Sequence, residues 1–416
     1  MDKVKVGIIG LGSRGYGLLG TILHCEKAEV VAVCDAYQDR TDRGFDRIRE
    51  RGFTHEVKKY TDYMELIHDK DVQAVVIATS WDEHTNMAVA SMKAGKYTAL
   101  EVSGAYDLED CWRLVRTYEE TKTPIMFMEN CCFDKFEMLS TSLVRNGKLG
   151  KVVFAHGSYS HELYDEILGG NVRRHYRLNN YIKRNCDNYP THELGPIAKI
   201  MNLNRGNKLV SLSSFATRPV MLEEIAKTDK SPDATLAGTK FNQGDIIVTT
   251  LTCANGEIIT MTLDTTLPRF YSREITIRGT KGLTMQDGNI VMLDEDIDNF
   301  DAVASTKAIK TYMDSGDKYE KYLPDEWRYI TEEEMELGHG GMDFIEFQVF
   351  FDAVLNNKPM PIDVYDAALW MSITPLSEQS IAQGGAVQAV PDFTRGKWVL
   401  RKPLDVLKLP IFDKDE

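Results

Sequence analysis

Cysteine is scarce in this sequence. Its seven cysteines in 416 residues are scattered, apart from the adjacent Cys131 and Cys132. An odd, unpatterned set is no disulfide framework, and no C-x-x-C pair offers a zinc site. A reduced, cytoplasmic setting is the expectation. No group of His, Asp and Glu shows a recognisable ligand spacing, so no metal is expected. No apolar stretch is long enough to cross a bilayer. The first residues run straight into a strand, with no basic, apolar leader before it. Positive charge is also in short supply: 49 Lys and Arg stand against 63 Asp and Glu, a formal charge of −14. That balance argues against nucleic-acid and anionic-membrane partners, both of which select basic faces. Internal repeats and low-complexity tracts are missing too. What remains is an acidic chain with room for two or three domains.

What is present begins at Val4. The run VKVGII leads into Gly10-Leu-Gly12-Ser13-Arg14-Gly15, and a helical pattern follows at once. G-x-G-x-x-G between a strand and a helix is a dinucleotide fingerprint. Gly10 permits the tight turn, Gly12 lets the backbone approach a pyrophosphate, and Gly15 lets helix and strand pack closely. The helix start then offers free N–H groups to the phosphates. A second strand over 29–34 ends in Asp35, about 20 residues beyond Gly15. Its carboxylate suits the ribose hydroxyls and repels a 2′-phosphate, so the expected cofactor is NAD rather than NADP.

Strand and helix patterns continue to alternate, with strands expected at 74–79, 98–102 and 124–130. Trp81-Asp82-Glu83-His84 follows the first of these, at the strand end that faces a cofactor crevice. Trp81 and His84 suit adenine or nicotinamide there. They suit equally a packing residue and a first-turn polar group, and the residues alone leave both readings open. Residues 1–130 are expected to form one doubly wound, nucleotide-binding domain. From Lys151 the pattern changes to longer strands, at 151–160, 209–218, 245–253, 257–267 and 272–278. Asn255-Gly256 between two of them signals a type I′ hairpin. The expected fold is α/β: a Rossmann parallel sheet, then an α+β domain over 131–416 with a large open, mostly antiparallel sheet. Helices are expected at 343–356 and 364–383. The polar stretches 223–243 and 294–334 lack periodicity and are expected as surface excursions.

One segment after the first long strand is unlike the rest. Tyr159-Ser-His161 opens it; Arg173, Arg174, His175, Tyr176, Arg177, Tyr181, Lys183 and Arg184 follow. Asn188-Tyr189-Pro190-Thr191-His192 then leads to Pro196. Tyrosine and arginine together suit a polyol, stacking on its apolar ring face and hydrogen-bonding its hydroxyls. The competing reading is a structural loop over the sheet.

The fingerprint, the strand ending at Glu101, the Asn188-x-x-x-His192 spacing and the sheet after it resemble the Gfo/Idh/MocA oxidoreductases. Usual members carry E-K-P where this chain has Glu101-Val102-Ser103, and D-x-x-x-H where it has Asn188 and His192. The lost lysine argues against an ordinary sugar dehydrogenase. Glu129-Asn130-x-Cys132, Tyr159-Ser-His161 and Tyr189-Pro-Thr-His192-x-Leu-Gly-Pro196 are similar to glycoside hydrolase family 109, the NAD-dependent α-N-acetylgalactosaminidases. So are Gly338-His339-Gly-Gly-Met-Asp343, Asp363-Val-Tyr-Asp-Ala-Ala368 and Pro391-Asp-Phe-Thr-Arg-Gly396. Two departures lie beside the sugar motif: Glu193 replaces a usual glycine, and Cys186-Asp187-Asn188 replaces a Gly-Asn-Leu-type approach. The leader common in that family is not seen.

By that resemblance NAD contacts fall on Gly10, Gly12, Ser13, Arg14, Gly15, Asp35, Trp81, Asp82, Glu83, His84, Glu101, Val102 and Asn130. Substrate contacts fall on Tyr159, Arg177, Tyr189, Pro190, Thr191, His192 and Tyr271. The implied chemistry oxidises the sugar at C3, eliminates across C1–C2, adds water and reduces C3 again. His192 is the expected acid/base because its intrinsic pKa suits proton transfer near neutrality. Tyr189 and Tyr159 are the next candidates, and His339 is left between a structural and a catalytic role. The expected partners are a small glycoside or glycan terminus and further copies of the chain. Two other readings stay open: an NAD-dependent sugar or inositol dehydrogenase, and an NAD-loaded sensor without catalysis.

Overall fold

The computed structural model describes residues 3–297 and 300–412. The chain gathers into two units, one made of Met1–Phe133 with Ile330–Met371 and one of Asp134–Tyr329 with Ser372–Glu416. A linear reading put the break near residue 130 and could not show that a later segment returns to the first unit.

In the first unit, strands β1 (Val4–Ile9), β2 (Ala28–Cys34), β3 (Lys58–Tyr60), β4 (Ala74–Ile77), β5 (Tyr97–Glu101) and β6 (Ile125–Met128) form one sheet. Its order is β3-β2-β1-β4-β5-β6 and every pairing is parallel. A sheet covered on both faces needs unbroken apolar strands, and AVVI in β4 and IMFM in β6 are buried throughout. The order reverses between β1 and β4, the switch point at which such sheets bind ligands. The returning segment completes this core. Phe347, Phe350 and Phe351 of the helix Met342–Asn356 are fully buried. Trp370 packs 6.2 Å from Phe127, whose N–H donates to the Ile362 carbonyl at 3.0 Å.

The expected helix at 364–383 is two helices, Val364–Met371 and Ile373–Ala382. Pro375 has no N–H to offer Met371 four residues back. The freed Met371 carbonyl instead accepts the N–H of Ala105 at 3.0 Å. The chain passes from one unit to the other at this break.

The second unit is built on eight strands: β7 (Val152–Ser160), β8 (Leu209–Ala216), β9 (Ile246–Cys253), β10 (Ile258–Asp264), β11 (Thr276–Gly279), β12 (Gly282–Met285), β13 (Ile290–Leu293) and β14 (Gln388–Ala389). Their order is β13-β12-β11-β7-β10-β9-β8-β14. All pairs are antiparallel except β7 with β10. Strict alternation of buried and exposed residues in β9 shows a sheet covered on one face. On that covered face, Gly157 of β7 admits the helix Thr191–Ile200, for a Cβ there would lie 2.8 Å from the Glu193 carbonyl oxygen.

Two expectations need correction here. The β9–β10 connection is not a type I′ turn, which needs positive φ at both central residues. Only Gly256 has one, at 98°, and its N–H donates to the Cys253 carbonyl at 3.1 Å. The loop therefore spans Ala254 to Gly256, with the glycine in the left-handed position. Nor is 223–243 a mere surface excursion. Leu222, Ile225, Ala226, Leu236 and Phe241 join Ile167, Leu168, Leu178 and Tyr181 in a separate small core. The other polar stretch, 294–334, buries Tyr322 and Trp327 between exposed residues; its Asp298 and Asn299 lie outside the described residues.

Candidate active site

The fingerprint of the first unit has the geometry its glycines require. Gly10 sits at φ +91°, and a Cβ on it would lie 2.4 Å from the Ala78 carbonyl oxygen. A Cβ on Gly15 would lie 1.9 Å from the carbonyl oxygen of Gly10, so helix and turn touch. The helix Ser13–Ile22 begins after Gly12 with no side-chain cap, leaving its first amides to a ligand. Asp35 is fixed by two backbone donors: Leu11 N–H to Oδ2 at 2.7 Å and Tyr37 N–H to Oδ1 at 2.9 Å. A carboxylate can accept about four hydrogen bonds, so capacity remains for ribose hydroxyls. These features fit a dinucleotide. Arg40 reaches to 4.0 Å from the same carboxylate.

Arg14 organises the rest of this unit's site. Its guanidinium lies 2.7 Å from Glu101 and 2.6 Å from Asp343, with a second contact to Asp343 at 3.1 Å. Asn130 donates to Asp343 Oδ1 at 2.7 Å, and His339 Nδ1 lies 3.0 Å from both Asp343 Oδ2 and Arg14. Burial favours the neutral form of Asp343, but Arg14 and His339 outweigh it and hold the carboxyl well below the usual range. Three expected cofactor residues, Arg14, Glu101 and Asn130, are thus joined. Arg14 and Asn130 meet through Asp343, which no spacing rule pointed to. His339 is part of that network. The turn before it needs Gly338, at φ +61°, because a Cβ there would sit 2.5 Å from the Asp343 carboxylate.

The other expected contacts differ in exposure. Ser13 and Asp82 are exposed, Glu83 is half-buried, and Trp81 and Val102 are buried. His84 is buried as well, with Nε2 3.1 Å from the Thr79 carbonyl. Burial pulls its pKa down to about 4, so its ring is neutral and donates that bond.

The second unit gathers its own set on the covered face of the sheet. Tyr159 is the penultimate residue of β7, Tyr189 and His192 flank the start of the helix Thr191–Ile200, and Arg177 starts the helix Arg177–Lys183. The ring of Tyr159 lies 4.7 Å from Tyr189 and 5.4 Å from His192; Tyr189 and His192 are 4.8 Å apart. The Arg177 guanidinium lies over the Tyr189 ring at 4.9 Å, and its Nε is 2.8 Å from Glu166. Tyr271 closes one side at 6.5 Å from Tyr159 and 5.3 Å from His161, its hydroxyl held by Arg273 at 2.8 Å. All of the expected catalytic tyrosines and histidine are therefore together, and Pro190 and Thr191 lie buried at the helix start between two of them. His161 belongs to the group too. It stood in the quoted Tyr-x-His motif but was given no role.

Two further residues lie beneath this cluster. Glu193 Oε2 accepts the N–H of Tyr159 at 3.1 Å and the N–H of Thr262 at 3.2 Å. Its carboxyl group lies beside that of Asp187. Both side chains are fully buried.

The profile for "Glycosyl hydrolase 109, C-terminal domain" matches residues 133–400, and that for "Oxidoreductase family, NAD-binding Rossmann fold" matches residues 4–128. The chain belongs to glycoside hydrolase family 109. An alpha-N-acetylgalactosaminidase of Tannerella forsythia is 36% identical, over 96% of this chain and 88% of its own length. A family 109 protein of Parabacteroides distasonis is also 36% identical, over 96% and 89%. Among solved structures, a scyllo-inositol dehydrogenase from Lactobacillus casei with bound NAD(H) and scyllo-inositol shares the fold. It has a TM-score of 0.64 and 14% identity, covering 94% of this chain and 99% of that one. Membership of family 109 makes this chain a glycoside hydrolase by family, carrying an NAD-binding Rossmann domain.

Proposed function

We propose that this chain removes terminal α-linked N-acetylgalactosamine by transient oxidation at C3, elimination across C1–C2, hydration and re-reduction. The observation that carries the reading is the close packing of Tyr159, Tyr189 and His192 around one point, with Arg177 behind them. NAD, when bound, supplies a hydride acceptor at C3 and returns the hydride within the same turnover. Asp35 favours NAD over NADP by its charge; Arg40 beside it makes the measured preference between the two worth having.

His192 serves as the acid/base for the C3 hydroxyl or the C2 hydrogen. Tyr189 and Tyr159 hold or move the remaining proton, and Tyr271 walls the sugar. Arg177 stabilises negative charge on the C3 oxygen once the C2 proton has gone. The C3 ketone makes that C2 hydrogen acidic, and in an α-glycoside it stands anti to the C1 oxygen, so elimination is geometrically open. No pair of carboxylates flanking the glycosidic bond is needed, NAD-dependent families being the exception to that pattern. Asp187 and Glu193 do not supply such a pair, since both are fully buried and lie against each other.

The test offers the purified protein a chromogenic α-N-acetylgalactosaminide in deuterated buffer. Aglycone release with deuterium at C2 of the freed sugar and no net reduced nicotinamide is the expected result. Reduced nicotinamide accumulating from free sugar and NAD, without aglycone release, would make the chain a dehydrogenase instead. The reading includes two lesser parts. A reducing compartment suits seven buried cysteines that form no disulfide among the described residues. Self-association suits the outer sheet face, where Phe215, Val248 and Ile258 are exposed. Light scattering of the protein and of Val248→Glu checks the second.

A further inference from the structure

The environment of Glu193 and Asp187 does not balance if both are ionised. Glu193 Oε2 has its two backbone donors, but Glu193 Oε1 is buried without an N–H or protein hydroxyl partner, and the amide beside Asp187 is that of Tyr189. Among the described residues, neither carboxyl group has a cation beside it. Buried acceptors left in this state are costly, and a buried anion more so. One proton resolves the problem: a neutral Glu193 donates from Oε1 to Asp187 and keeps Oε2 for the two amides.

Those amides and the residues around them belong to the proposed site. Tyr159 N–H is the backbone of the central tyrosine. Thr262 lies on β10, which pairs in parallel with β7. Glu193 follows His192 directly on the helix, and Asp187 precedes Tyr189 by two residues. One shared proton therefore joins the three segments that carry Tyr159, Tyr189 and His192. The other elements packed here are engaged elsewhere. Thr374 and Ser377 hold the Asp187 backbone, at 2.7 and 2.9 Å. Arg184 pairs with Glu378 at 2.6 Å, Arg177 with Glu166 at 2.8 Å, and Asp264 of β10 with Arg269 at 3.2 Å.

We propose that Glu193, kept neutral by a proton shared with Asp187, is a positioning residue that sets the spacing of Tyr159, Tyr189 and His192 and the alkaline limit of activity. Burial pushes both titrations upward, and the neighbouring Asp187 pushes that of Glu193 further up, which agrees with a proton resident on Glu193. Loss of the proton would set two like charges together inside the unit and drive the segments apart.

The test compares Glu193→Gln with Glu193→Ala in the full chain. Glutamine can accept both amides with its carbonyl and donate to Asp187 with its NH2 group, so it copies the neutral acid without a titratable proton. We expect wild-type kcat to fall on an alkaline limb that is missing in Glu193→Gln, with kcat near neutrality within about twofold. Glu193→Ala leaves two amides and a carboxylate unpaired, and its kcat should fall about tenfold or more. The wild-type infrared spectrum should contain a protonated-carboxyl C=O band that disappears in Glu193→Gln. Absence of that band, or a glutamine variant as impaired as the alanine one, would overturn the proposal. The kinetic arm rests on the glycosidase reading. If the wild type cleaves no glycoside, the infrared band and the melting temperature still decide the matter. Melting should decline with rising pH from about 4 upward in the wild type, because a raised folded pKa stabilises only below it, and Glu193→Gln should lack that decline.

Discussion

In the first unit Arg14 stands between Glu101 and Asp343, so opposite charges meet at 2.6 to 2.7 Å around the fingerprint. In the second, two acids meet under a group of tyrosines and histidines, and among the described residues no cation joins them. In the first arrangement a cation answers Glu101 and Asp343 directly, while burial and these acids push the neighbouring Glu346 toward its neutral form. The second depends on where protons are. That contrast matches the tasks proposed for the two units: one grips a cofactor that stays bound, and the other moves protons on a sugar.

The comparison can be tested from its strongest side first. His192→Ala should lower kcat by on the order of a thousandfold while leaving bound NAD, read by absorbance of the purified protein, unchanged. A loss of NAD in that variant would break the separation of roles. Asp35→Ala should act the other way round. It removes two charge-assisted bonds within the loop and the ribose acceptor, so NAD affinity measured by titration should fall about a hundredfold, near 3 kcal/mol. Asp343→Asn should cost about 2 kcal/mol of stability, less than a fully enclosed pair because Arg14 stays 31% exposed. The sign with pH is fixed by the depressed Asp343 titration. Its contribution is present above the ordinary carboxylate range and is lost as pH falls below about 4. Acid unfolding followed by circular dichroism should therefore be shallower in Asp343→Asn than in the wild type. Tyr271→Phe should be the mildest change. Its ring is half in solvent and keeps its place, while the hydroxyl's bond to Arg273 is lost, and KM should rise about two- to threefold.

The two units also differed in how much of them could be read beforehand. Gly10, Gly12, Gly15 and Asp35 were legible because their roles lie in the backbone, where φ, close approach and strand ends follow local rules. The second unit's cluster was legible through residue type and the quoted motifs, yet its spacing was not. The loop at Gly256 was misjudged because Asn255 and Gly256 admit more than one turn. The 223–243 segment was misjudged because its apolar residues pack in no regular period. Asp343 and Glu193 stood in the quoted motifs without a role, for a common reason: each acts on a partner chosen by the tertiary fold. Arg14 lies 329 positions from Asp343, and Glu193 reaches Thr262 69 positions away.

The return of Ile330–Met371 to the first unit has a consequence for synthesis. Ribosomes release chain from the N-terminus, and N-terminal domains commonly fold as they emerge. Here the fingerprint strands emerge early, but the Ile362 carbonyl for Phe127, the Met371 carbonyl for Ala105 and the Asp343 carboxylate for Arg14 arrive only after most of the chain is made. Until then the nascent first unit has an uncovered core face and an arginine without its second carboxylate. Cleaving the gene after Phe133 would therefore yield an aggregation-prone fragment. Ribosome profiling combined with a trigger-factor pull-down should find chaperone occupancy on the nascent chain persisting until residue 371 has left the exit tunnel.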